Sequence, residues 1–96
     1  MPRYVVLYRF TEQGAKGAKG TVQRARQTRE ENEKRGFKTV GLYWTQGPYD
    51  LVAIVDAPSE DAMMGAMLNV VGAGNVTSTT MRAFDDGEME RILKQP

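Results

Sequence analysis

Asp50 is the residue whose neighbours best suit it to chemistry. It opens an otherwise apolar segment, Asp50 to Ala57, and lies close to Tyr43, Trp44 and Tyr49. A carboxylate desolvated among aromatic rings has a raised pKa and can act as a base. The same residue type at this point also suits a structural role, accepting backbone hydrogen bonds in a turn. Arg82 and Arg9 offer complementary chemistry, because a guanidinium clamps a carboxylate ligand with two parallel hydrogen bonds. Arg82 is equally well a solvated edge-strand charge, and for Arg9, near a strand end, the solvated charge is the preferred reading. Tyr4, Tyr8 and Phe10 fall on one face of a strand. With Tyr43 or Trp44 they supply walls for a small apolar cavity, or else fill a core or an interface between copies.

Composition removes much other chemistry. The 96 residues include no Cys and no His. Disulfides, thiolate catalysis and iron–sulfur ligation are thereby excluded, as is imidazole as base, zinc ligand or axial haem ligand. No metal site and no cofactor are expected. Lys and Arg number 13 against 12 Asp and Glu, a net charge of +1, which gives no reason to expect nucleic acid or an anionic membrane as partner. The start Met1-Pro2-Arg3-Tyr4 lacks a signal-peptide layout, and no apolar run approaches membrane-spanning length. The expected location is cytoplasmic.

The elements that must position these residues follow from spacing. Arg3 to Phe10 reads as a strand apolar on both faces, with Val5 and Leu7 on one and Tyr4, Val6, Tyr8 and Phe10 on the other. The repeat Gly14-Ala15-Lys16-Gly17-Ala18-Lys19-Gly20 does not fit phosphate-loop spacing and reads as a flexible lead into a helix. Thr21 to Arg35 is a helix by charge pattern, with Arg26–Glu30 and Arg29–Glu33 among its pairs four apart and only a thin apolar side. Phe37 to Gln46 and Asp50 to Ala57 are strands about a Gly47-Pro48 turn. A two-residue turn sets Trp44 opposite Leu51 and Thr45 opposite Asp50. Ser59 caps a Met-rich helix ending at Gly72-Ala73-Gly74, Asn75 to Phe84 is a fourth strand, and Asp85 caps a helix from Gly87 to Lys94.

That order, βαββαβ plus a short C-terminal helix, predicts a single ferredoxin-like α+β domain over residues 1–96. Its sheet is four-stranded and antiparallel, with helices on one face. The other face carries apolar residues that need cover, so a homodimer or larger homo-oligomer is expected.

The run Tyr43-Trp44-Thr45-Gln46-Gly47-Pro48-Tyr49-Asp50-Leu51-Val52-Ala53 resembles the GYD domain family, with the Gly-x-Tyr-Asp signature at Gly47 to Asp50. The likeness extends to Tyr4–Thr11, to Asp56-Ala57-Pro58, and to Gly74-Asn75-Val76 leading into Arg82-Ala83-Phe84. It implies a bacterial dimeric α+β barrel and no particular reaction. The polar first helix, with Glu31 and Arg35, departs from the family pattern. Two functions are therefore carried forward. One is a homo-oligomeric module, structural or holding a small organic ligand with Tyr8, Tyr43, Trp44, Tyr49 and Arg82. The other is a cofactor-independent enzyme performing proton transfer or oxygenation, with Asp50 as base and Arg82 as anion clamp.

Overall fold

The computed structural model describes residues 1–96. Strands β1 (Arg3–Phe10), β2 (Lys38–Trp44), β3 (Leu51–Asp56) and β4 (Val76–Ala83) form one antiparallel sheet in the order β2-β3-β1-β4. Helices α1 (Glu12–Lys16) and α2 (Thr21–Lys34) connect β1 to β2, α3 (Glu60–Gly72) connects β3 to β4, and α4 (Asp86–Leu93) follows. This is the ferredoxin-like arrangement expected from the element order. With extents of 50 × 31 × 19 Å, the chain is a slab, a helix layer on one face of a sheet.

The core lies between that face and α3. Val6 and Ala57 are fully buried, and Tyr4, Tyr8, Leu51, Ala53, Phe37, Met63 and Ala66 complete it. The outward face has no helix over it. Val5 and Leu7 of β1 pair with Ile54 and Val52 of β3, and Tyr43 of β2 lies beside Val52. The first four are half-buried, whereas Tyr43 and Met81 are exposed. A register shift between Thr39 and Gly41 makes a bulge that leaves Val40 exposed on the edge strand. At one end of the sheet Arg3 grips Asp56 with two hydrogen bonds of 2.8 and 3.1 Å, which hold the Asp56 carboxyl below the usual range.

The Gly14–Gly20 repeat is not a flexible lead. Its residues form α1 and a 3₁₀ turn, Ala18–Gly20. The reason is Thr11, whose hydroxyl caps α1 by accepting from Gly14 N at 3.1 Å while donating to the Gly74 carbonyl. Thr11 N also donates to the Asn75 carbonyl at 3.0 Å, pinning α1 to the start of β4. Gly14 is required there, since a Cβ would lie 1.9 Å from that same carbonyl oxygen. The outer strand limits are shorter than expected, β2 ending at Trp44 and β3 starting at Leu51, but Trp44 pairs with Leu51 as the turn spacing predicts. Gly36 ends α2 at a φ of +94°. Asp85 caps α4 in a reciprocal capping box with Glu88, so the helix begins at Asp86 and not Gly87.

Two glycine substitutions test this packing in opposite directions. Gly14→Ala forces backbone to move and is expected to cost about 3 kcal/mol in urea denaturation. Gly65→Ala, in an exposed turn of α3 with nothing within 4 Å of the added methyl, is expected to gain about 0.5–1 kcal/mol.

Candidate functional site

No residue of α2 is buried, which sets it apart from α3. Its sheet-facing side is Thr21, Arg24, Ala25, Thr28 and Asn32, spaced at helical intervals and almost wholly polar. A polar face cannot close onto the apolar floor beneath it without desolvating its own groups. The helix therefore stands off, and a cleft of about 580 Å³ opens between α2 and α3. Leu42, Leu51, Ala53 and Val55 are its floor, Ala66, Asn69 and Val70 of α3 its far wall, and Tyr8 and Phe10 its end.

Arg24 is the cation at that end. It is half-buried, its Nη1 donates to the Gly17 carbonyl at 2.8 Å, and no carboxylate lies within ion-pair distance. The glycines of the repeat make room for it, because a Cβ on Gly20 would sit 2.9 Å from Nη1 and one on Gly17 at 3.4 Å. Thr21, at the same end, accepts the Trp44 indole N–H at 3.1 Å. Burial pushes the Tyr8 phenol up to about 12. Its hydroxyl finds no partner within the chain.

The aromatic and charged residues expected to act together are dispersed. Tyr8 borders the cleft, Trp44 lies outside its lining and reaches it only through its bond to Thr21, and Tyr43 points to the opposite face of the sheet. Tyr49 lies in the β2–β3 loop, where Arg9 stacks over its ring at 5.0 Å. Arg82 pairs with Tyr4, four residues along β1 from Tyr8, or about 13 Å away. There it donates to the Arg3 and Ala83 carbonyls at 3.0 and 2.6 Å and lies over the Phe84 ring at 4.5 Å. Asp50 accepts from Phe10 N at 2.8 Å, while its own amide donates to the Tyr8 carbonyl at 2.8 Å and its carbonyl accepts from Thr45 N. These bonds are the hairpin-fixing geometry, tying the β2–β3 loop to the end of β1. Sequence reasoning does not single out Arg24. The available signal is an Arg four residues after the last glycine of the repeat, on a helix face lacking apolar residues.

A second surface lies on the outer side of α3, in the same helix layer. Met64, Leu68 and Val71 recur at i, i+4 and i+7 along α3 and are exposed, while Met63, Met67 and Val70 of the same helix face the core. The Met-rich segment is thus core filling on one side only.

The GYD domain profile matches residues 4–93. This chain belongs to the GYD domain family. A relative from Thermus thermophilus, named glutamine synthetase and cystathionine beta-lyase binding protein, is 30% identical over 95 residues, covering 98% of this chain and 100% of that protein. No solved structure matches the chain. No helix of the domain is long and apolar enough to cross a membrane.

Two measurements check the local readings. Asp50→Ala leaves the Phe10 amide without its acceptor and is expected to cost about 1–3 kcal/mol, whereas Asp50→Asn keeps a carbonyl oxygen and costs less. Because folding favours the protonated Tyr8 phenol, its contribution to stability is intact below the ordinary value of about 10 and fades as pH rises through about 12. An absorbance titration should accordingly show a tyrosinate step near 12 that Tyr8→Phe removes.

Proposed function

We propose that this GYD domain is a self-associating interaction module of the bacterial cytoplasm, joining its copies through the outward sheet face and holding partner enzymes through α3. The observation that carries the reading is the uncovered face of the central strands. Val5, Leu7, Val52 and Ile54 form a contiguous apolar patch with Tyr43 and Met81 at its margins. Charged residues flank it only at the strand ends, as Arg3, Lys38 and Asp56 at one and Arg9 at the other. Apolar patches of this kind mark protein interfaces, and a second copy meeting it face to face is the cover that symmetry supplies most simply. A small domain also gains more from such burial than a large one.

Sheet-to-sheet pairing leaves α3 on the outside of the assembly, with Met64, Leu68 and Val71 open. Leu68 and Met64 are each 61% exposed, high for large apolar side chains. The full-length relationship to a protein named for binding two enzymes supports enzyme subunits as what this stripe meets. The arrangement needs no chemistry from the chain. Self-association multiplies the copies of α3 in one particle, so modest single contacts add to firm capture.

Two substitutions separate the surfaces. Leu68→Glu is expected to weaken capture of glutamine synthetase or cystathionine beta-lyase from the same organism at least tenfold in biolayer interferometry, with particle mass unchanged. Ile54→Lys is expected to reduce the particle to the 10.7 kDa chain and to lose the multivalent part of the binding. Wild-type protein that captures neither enzyme would overturn the partner assignment.

A further inference from the structure

We propose that the cleft beneath α2 binds a small organic anion, its acidic head on the Arg24 guanidinium and the Tyr8 hydroxyl and its apolar body on Leu42, Leu51 and Ala53. This site is independent of the two protein-binding surfaces and lies on the other side of the sheet from the self-association face.

The head group follows from what is left unpaired. Arg24 gives one hydrogen bond to a neutral carbonyl and meets no carboxylate, so its charge is uncompensated in a half-buried place. Such a charge favours an oxyanion, which a guanidinium binds with short, charge-assisted hydrogen bonds. Tyr8 is 9% exposed, and its unpartnered hydroxyl borders the cleft as a second donor. It stays protonated throughout the physiological range, since its phenol titrates at about 12.

The two donors share one end of the cleft. Leu51 pairs with both Tyr8 and Trp44, and Trp44 is bonded to Thr21, one turn before Arg24. The glycines of the repeat then acquire a purpose. Gly20 and Gly17 leave the space in which the guanidinium lies, so the Gly-Ala-Lys repeat builds a seat for Arg24.

The body follows from the floor. Inorganic phosphate would leave Leu42, Leu51 and Ala53 uncovered, and a neutral apolar molecule would leave Arg24 without a partner. An oxyanion on an aromatic or branched aliphatic body meets both requirements. A volume of about 580 Å³ lies within the ordinary range for small-molecule sites. Among the lining residues Arg24, Arg29 and Arg35 face a single carboxylate, Glu31, and Arg29 is already paired with Glu33. The remaining balance is positive.

The test is amide NMR of the full chain titrated with 4-phenylbutyrate, 4-phenylbutanamide and inorganic phosphate. The expected result is that phenylbutyrate shifts amides of Thr21–Thr28, Leu51–Ala53 and Ala66–Ala73, with the neutral amide binding about tenfold or more weakly. Arg24→Gln should remove that preference by weakening phenylbutyrate alone. Tyr8→Phe loses no bond within the chain, so it keeps its fold, and it should weaken phenylbutyrate several-fold. Equal affinity for acid and amide would overturn the proposal, as would shifts confined to Val5, Val52 and Ile54. So would inorganic phosphate matching phenylbutyrate, or no shift with phenylbutyrate at millimolar concentration.

Discussion

The central strands of the sheet carry apolar side chains on both faces, and the rest of the molecule is arranged around that requirement. Tyr4, Val6 and Tyr8 alternate with Val5 and Leu7 along β1, and Leu51 and Ala53 alternate with Val52 and Ile54 along β3. One layer of helices covers only the first set. The 19 Å thickness of the slab leaves no room for another layer within a single chain. A hydrophobic face near the middle of a sheet is the kind of surface that marks an interface, and self-association is the cover proposed for it.

The helix layer is divided in its work. α3 uses Met63, Ala66, Met67 and Val70 to hold the core, which frees Met64, Leu68 and Val71 for outside contacts. α2 contributes almost nothing to the core. Its charged outer face is stabilised locally by pairs such as Arg29–Glu33, and its polar inner face keeps it away from the sheet. The cleft follows from that mismatch between a polar helix and an apolar floor. The buried core is built by α3 and the sheet, and α2 adds no buried residue to it.

Much of this is legible in the sequence. The alternation in β1 and β3, the Ser59 and Asp85 caps and the Gly36 stop are local signals, and local signals survive folding. The Trp44–Leu51 register follows from turn length alone, because a side-chain period of two leaves little freedom. The thin apolar side of Thr21–Arg35 correctly implies a helix lying loosely or facing polar contacts. The dispersal of Tyr43, Tyr49 and Arg82 is not legible, since it depends on which end and which face of the sheet each residue reaches. The repeat misleads for a related reason. Gly14 reads as flexibility until the Asn75 carbonyl, sixty-one positions along the chain, is seen to occupy the space where a side chain would go.

Sedimentation velocity of the wild-type chain at micromolar concentration addresses the central claim most directly. The uncovered sheet face predicts a particle of at least two copies of the 10.7 kDa chain, with no monomer boundary until strong dilution. A single boundary at 10.7 kDa across that range would contradict it, and would mean that water tolerates the outward faces of β1 and β3 without a partner.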